Sequence, residues 1–156
     1  MIARSITIAA AAALLGGCVS YVDNRQSASD AQASAMLARM LSGQSELSGE
    51  ALEAKVAQVA RYPLGSQENP VRASMPQGQR AYLARLRCAN LKAPEFSRIG
   101  SAGMSPYGNI ADAYSVRCPG SEPASTTVYM DMYHAGHAEE AAVPGFGIAG
   151  GRTESD

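Results

Sequence analysis

The sequence predicts a small α+β domain, and two patterns along the chain support this fold class. Apolar residues recur at helical spacing within residues 29–63, which predicts two short helices that form a hairpin. Apolar and polar residues alternate in residues 114–118 and 127–133, which is typical of strands with one buried face. We therefore expect an N-terminal helical hairpin, a third helix and a small antiparallel sheet.

The two helices of the predicted hairpin have recognisable starts and ends. Ser29 is a suitable N-cap for the first helix, and Gly43 is a suitable C-terminal stop. The second helix is expected to begin at Ser48, with Glu50 near its positive end, and to end before Pro63. The apolar positions of the two helices are Ala33, Met36, Leu37, Met40, Leu41, Leu52, Val56 and Val59.

Residues 64–140 are expected to form the α+β domain itself. A short strand is predicted at residues 70–73, between turn residues. Residues 79–88 carry an apolar stripe that predicts the third helix, although their period-2 alternation also fits a strand. The glycine-rich stretch 100–108 is expected to be a loop. Residues 119–125 contain two prolines and a glycine, so the strands on either side should form an antiparallel hairpin.

The first 17 residues have the three-part pattern of an export signal. Arg4 precedes an apolar run from Ile6 to Leu15, which is too short to cross a bilayer. The segment Leu15-Gly16-Gly17-Cys18 resembles the lipobox of bacterial lipoproteins. The resemblance implies that residues 1–17 are removed, that Cys18 is lipidated and fatty-acylated (a palmitate-type modification), and that residues 18–28 form a tether. Val19 after the cysteine implies the outer membrane. The alternative is a buried N-terminal helix with Cys18 in the core.

The lipobox resemblance also bears on the other two cysteines. If Cys18 carries lipid, Cys88 and Cys118 remain in an oxidising compartment, where a single pair has one connectivity. We expect a disulfide between them that joins the third helix to the sheet. The alternative is two unpaired, buried thiols.

Composition limits the classes of partner. The chain has 13 Lys and Arg against 14 Asp and Glu, so it lacks the basic excess of a nucleic-acid-binding protein. The expected contacts are the membrane, through the lipid anchor, and an envelope protein or a glycan. Arg80, Arg85 and Arg87 could recognise an acidic group of such a partner, although composition bias and a solvated helix face are the simpler explanation.

Few residues carry a signal for chemistry. Asp131, His134 and His137, with Glu139, are the densest set of possible metal ligands. Exposed side chains near a strand end are the simpler interpretation. The six residues 145–150 match a dinucleotide-binding glycine pattern but lack the strand and helix that the pattern requires. No cofactor and no catalytic residue are predicted.

Residues 62–156 resemble a small family of uncharacterised exported bacterial proteins. The resemblance rests on Tyr62-Pro63-Leu64-Gly65-Ser66, Asn69-Pro70-Val71-Arg72, Arg85-Leu86-Arg87-Cys88, Ser105-Pro106-Tyr107-Gly108 and the segment Val128 to His134. It implies an exported domain and no particular activity. The sequence thus predicts an envelope lipoprotein that acts as a non-catalytic structural or binding module and ends in a flexible, glycine-rich tail at residues 141–156. The alternative is a periplasmic metal-binding protein or enzyme centred on Asp131, His134 and His137.

Overall fold

The computed structural model describes residues 17–150, which have the α+β composition expected from the sequence. Its helices are α1 (Gly17–Ser42), α2 (Gly49–Val59) and α3 (Met75–Arg85). Its strands are β1 (Val71–Ser74), β2 (Leu86–Arg87), β3 (Glu95–Met104), β4 (Ile110–Arg117), β5 (Ser125–Asp131), β6 (Tyr133–Ala138) and β7 (Gly147–Ile148). The chain divides into two compact units, residues 1–37 and 38–156. Residues 1–16 of the predicted signal peptide and residues 151–156 of the predicted tail lie outside the described residues.

Helix α1 begins earlier than the sequence predicts. It starts at Gly17, so the predicted tether 18–28 is helical and Ser29 is not its N-cap. Its predicted end is confirmed: Gly43 has a φ of +66°, and the Gln44 N–H donates to the Arg39 carbonyl oxygen at 3.1 Å. Met36 lies on the predicted apolar face of this helix and is 55% exposed. Helical spacing identifies an apolar face without identifying what covers it. Within residues 17–150, no helix has both the length and the apolar content that crossing a bilayer requires.

The main sheet is mixed, which corrects the prediction of an antiparallel sheet. Its strand order is β3-β4-β5-β1-β6. The predicted hairpin of β4 and β5 is confirmed, with Ala113 opposite Tyr129. Strand β1 pairs in parallel with β5 and antiparallel with β6. Parallel pairing joins segments that are far apart in the chain, so local alternation and turn residues give no signal for it.

The third helix is confirmed, and it packs against β1 and the edge strand β6 of the sheet. Helix α3 buries Tyr82 and Leu83. Of residues 79–88, for which the sequence also allowed a strand, only Leu86–Arg87 form one. The core consists of Val71, Ala73, Tyr82, Leu83, Leu86, Tyr114, Val116, Val128, Met130 and Val143. Side chains from the helix, four strands and the C-terminal segment therefore share one core.

Strands β3 and β6 are absent from the sequence prediction. Strand β3 occupies part of the stretch expected to be a loop, and it pairs with β4 through two irregularities near Gly100 and Gly103. Gly103 and Gly136 have φ angles of +83° and +76°, which favour glycine. Glycines at such positions resemble turn signals, although here they lie inside strands.

The disulfide between Cys88 and Cys118 is present, as predicted. It joins the residue after β2 to the residue after β4, with a Cα–Cα distance of 5.8 Å. The segment 141–150 is packed instead of free, because Val143 is buried and β7 pairs with β2. Gly65 lies against this segment so closely that an added Cβ would be 2.6 Å from Val143 Cγ1.

Candidate binding cleft

The end of strand β5 places a carboxylate in the interior. Asp131 is completely buried. Ser105 Oγ donates to its Oδ2 at 2.6 Å, Asn109 Nδ2 donates to the same oxygen at 3.0 Å, and the Tyr133 N–H donates to Oδ1 at 3.0 Å. Burial by itself raises the pKa of Asp131, but the interactions with His134, Ser105 and the Tyr133 N–H outweigh it and hold this pKa below its ordinary value. Asp131 is therefore a structural anion with hydrogen bonds to both carboxylate oxygens.

The turn between β3 and β4 supplies two of the donors to Asp131. The Ser105 N–H donates to the Asn109 carbonyl oxygen at 2.7 Å, and the Gly108 N–H donates to the Ser105 carbonyl oxygen at 3.1 Å. Gly108 has a φ of +84°, which this tight turn requires. The turn therefore holds Ser105 and Asn109 on the same side, facing the carboxylate.

Asn109 also connects the sheet to the segment between α1 and α2. Its Nδ2 donates to Ser45 Oγ at 3.2 Å, and its Oδ1 accepts from the Glu46 N–H at 3.1 Å. Gly108 lies beneath Glu46, where an added Cβ would be 3.2 Å from Glu46 Cβ. Residues 43–48 are thereby fixed beside the sheet.

His134 lies next to Asp131 and has no hydrogen-bond partner in the described structure. Its side chain is 2% exposed, and its Nε2 is 3.6 Å from Asp131 Oδ2. The edge of its ring meets Tyr107, with ring centroids 4.9 Å apart. Within residues 17–150, neither Nδ1 nor Nε2 of this imidazole forms a hydrogen bond. A buried polar group left in this state costs about 1–3 kcal/mol, so it requires an explanation.

A cleft of about 750 Å³ lies between residues 44–52 and strands β1 and β6. Its volume is in the range of small-molecule binding sites. Charged and titratable residues in its lining are Arg39, Glu46, Arg72, His134 and His137. The lining therefore carries several charged side chains, and it contains the imidazole of His134, which forms no hydrogen bond within residues 17–150.

The second histidine of the cleft has a partner. His137 Nε2 lies 3.4 Å from Glu139 Oε2. The hydrogen bond with His137 lowers the pKa of Glu139 and outweighs the opposing effect of burial. The ring centroids of His134 and His137 are 6.5 Å apart.

The predicted ligand set is only partly brought together. Asp131 and His134 are in contact, whereas His137 pairs with Glu139. Among residues 17–150, no group of three His, Cys, Asp or Glu side chains is arranged to hold a metal ion. The expectation of exposed side chains is wrong for Asp131 and His134, because β6 follows β5 directly and turns His134 into the interior. The alternation that buries Val128 and Met130 places Asp131 on the opposite strand face, so it gave no signal for the burial of this carboxylate.

Two of the three arginines in this part of the sequence, Arg85 at the end of α3 and Arg87 in β2, form hydrogen bonds within the domain. Arg85 donates to the Glu139 carbonyl oxygen, and Arg87 donates to the carbonyl oxygens of Ala84 and Leu86. Sequence reasoning missed Arg72, which lies in β1 and lines the cleft. In the sequence it is one arginine within the predicted strand 70–73, and no local pattern connects it with His134.

No protein-family model, curated protein or solved structure matches the chain. The resemblance of residues 62–156 to uncharacterised exported proteins therefore remains a prediction, as does the lipobox. The functional argument rests on the residues of the chain itself.

Proposed function

We propose that this chain is an envelope lipoprotein, anchored by lipid on Cys18 and facing the periplasm from the outer membrane. The support is the segment Leu15-Gly16-Gly17-Cys18, which follows a basic residue and a short apolar run. Val19 favours the outer membrane by resemblance to sorted lipoproteins. Several buried acyl chains, at about 0.8 kcal/mol per CH₂ group, would make such an anchor effectively permanent.

The disulfide supports the exported location. Two of the three cysteines in the sequence, Cys88 and Cys118, are joined. Disulfides persist in oxidising compartments such as the periplasm and are rare in the cytosol. The remaining cysteine is the one at the end of the lipobox.

We further propose that the domain binds a ligand and does not catalyse a reaction. The binding role rests on one observation, the cleft of about 750 Å³ lined by the unpartnered His134. Ser105 donates its hydroxyl proton to the Asp131 carboxylate, and in the described part of the chain no hydrogen bond joins this hydroxyl to His134. An activated serine needs a base on its hydroxyl, so this geometry favours binding. The ligand would belong to an envelope protein, a glycan or another envelope component.

Attachment of lipid to Cys18 gives the first prediction. In cells supplied with a tagged fatty acid, the wild-type chain should take up label and fractionate with the outer membrane. Cys18→Ser should take up none, because the thioether requires the thiol. Val19→Ala is the matched control, since it leaves the cysteine in place, and it should be labelled like the wild type. Equal labelling of Cys18→Ser and wild type would contradict the lipoprotein assignment.

A further inference from the structure

We propose that the cleft binds a phosphate group, with Arg72 and His134 as its donors, at the N-terminus of α2. This inference deepens the proposed binding role and rests on it. The shared chemistry is a phosphate oxyanion, which either free phosphate or a phosphorylated headgroup would supply.

Arg72 is the cation that the cleft leaves available. It lies in β1, beside Asp131 in the parallel register, and its side chain is half-buried. In the described part of the chain, its guanidinium has no ion pair and no hydrogen bond. Guanidinium is planar and binds phosphate through two parallel hydrogen bonds. A half-buried arginine without a partner is therefore suited to an anion that enters the cleft.

The other charged side chains of the cleft lining are neutralised by neighbours. Arg39 Nη1 forms an ion pair with Glu46 Oε2 at 2.9 Å, and His137 is paired with Glu139. His134 lies 3.6 Å from the buried Asp131 carboxylate, so among the described residues of the lining Arg72 is the cation that remains without an ion pair. The cleft therefore offers an anion one guanidinium without an ion pair, and the charge of this group also helps to lower the pKa of the Glu139 carboxyl.

His134 is the second, independent indication of a ligand. Its side chain is 98% buried in the wall of the cleft, yet both ring nitrogens lack partners among residues 17–150. Because Nε2 is 3.6 Å from Asp131 Oδ2, Nδ1 would be the nitrogen that contacts the ligand oxygen in the proposed complex. A hydrogen bond from this nitrogen to phosphate would remove the cost of leaving it unpaired.

The start of α2 adds backbone donors to the same cleft. Ser48, its N-cap, and Gly49, its first residue, both line the cleft. The Ser48 side chain forms no capping hydrogen bond, so the first N–H groups of this 11-residue helix are not used by it. Such N–H groups, together with the helix dipole, favour phosphate.

The test is calorimetric titration of the full chain, purified with its anchor in a non-ionic detergent, with inorganic phosphate. The wild type should bind phosphate saturably, with one site per chain, and acetate much more weakly. Arg72→Gln should weaken phosphate binding by about tenfold or more, the usual effect of losing charge-assisted hydrogen bonds. Arg117→Gln is the matched control, because Arg117 is exposed and does not line the cleft, and it should bind like the wild type.

Two further variants keep the test decisive if Arg72→Gln does not fold. Arg72→Lys retains the charge without the planar fork, so we expect a partial loss of affinity. His134→Phe removes the ring nitrogens and keeps an aromatic ring beside Tyr107, so it should also weaken phosphate binding several-fold. The proposal is overturned if the wild type shows no saturable binding, if acetate binds as tightly as phosphate, or if a folded Arg72 variant binds like Arg117→Gln.

Soluble probes distinguish the two sources of phosphate. Glycerol 3-phosphate is a phosphomonoester, and glycerophosphoglycerol is a deacylated phosphodiester headgroup. Binding of the monoester alone would support a free phosphate or phosphomonoester ligand, whereas binding of both would support a lipid headgroup. Loss of phosphate binding would leave the lipidation result intact, and absence of label on Cys18 would leave the titration intact, so the two proposals fail separately.

Discussion

Two buried carboxylates, Asp112 and Asp131, lie on different strands and are satisfied in different ways. Asp112 accepts from Gln79 Nε2 at 3.1 Å and from Arg98 Nη2 at 2.5 Å. Gln79 Oε1 accepts in turn from the Tyr114 hydroxyl at 3.0 Å. The charge of Asp112 therefore has a cationic partner, and the Arg98 side chain is 52% exposed.

The cluster of Asp131, Ser105, Asn109 and His134 differs from the Asp112 cluster at His134, the residue that lines the cleft. Neutral groups donate the hydrogen bonds to the Asp131 carboxylate. His134, which lies 3.6 Å from this carboxylate, has no hydrogen bond in the described residues. The Gln79 amide, by contrast, is fully buried and bonded through both its nitrogen and its oxygen. The Asp112 cluster is thus complete as a cross-link between α3 and the sheet, whereas the Asp131 cluster is incomplete on the side of the cleft. This difference is what assigns a binding role to one cluster and a structural role to the other.

The largest effect should come from Asp131→Asn. This substitution places an amide NH₂ group against the donors of Ser105 and Asn109, where water cannot reach it. We expect the free energy of unfolding to fall by about 3 kcal/mol, as measured by chemical denaturation at neutral pH. Asp112→Asn is the matched control and should cost only about 1 kcal/mol, because Arg98 can turn to solvent. Equal losses would remove the distinction between the clusters.

The lowered pKa of Asp131 also gives this cluster a pH dependence. A carboxyl group whose pKa is lower in the folded than in the unfolded chain stabilises the fold above the unfolded pKa of about 4. This stabilisation is lost as the pH falls through the lowered pKa of the folded state. The wild type should therefore lose stability on acidification more steeply than Asp131→Asn. Parallel acid titrations of the two proteins would contradict this assignment.

The elements that the sequence predicts correctly are those with local signals. Gly43 ends α1, Ser48 is the N-cap of α2, and the alternation in residues 114–118 places β4. The missed features depend on contacts between distant segments. The parallel pairing of β1 with β5 is one such feature, and the irregular strand β3, whose glycines resemble a loop, is another.

The candidate site was predictable only as a set of residue types. The sequence brought Asp131 and His134 together as neighbours in the chain, and the fold keeps them together. Their burial depends on the turn at residues 105–109 and on the segment 43–48, both of which are distant in sequence. Arg72 reaches the cleft through the nonlocal pairing of β1, so no local pattern could connect it with His134.

Gln79→Leu should have an intermediate effect on stability. Leucine is close to glutamine in size, but it leaves Asp112 without one donor and the Tyr114 hydroxyl without its acceptor. Both of these groups are buried, so we expect a loss of about 2 kcal/mol in chemical denaturation. A change below about 0.5 kcal/mol would mean that the Gln79 hydrogen bonds do not stabilise the folded chain, and that the Asp112 cluster is not a cross-link.

His134→Phe should have the smallest effect on stability, although the residue is as deeply buried as Gln79. Phenylalanine keeps the ring contact with Tyr107, and it removes two buried nitrogens that have no hydrogen bond to lose. The relief of that cost opposes the loss of the 3.6 Å contact with Asp131, so we expect a change within about 1 kcal/mol in the same denaturation assay. The variant should therefore remain folded while its phosphate affinity falls. A loss of about 2 kcal/mol or more, equal to that of Gln79→Leu, would show that the imidazole stabilises the fold as the amide does. His134 would then be a structural residue, and the contrast between the two clusters would disappear.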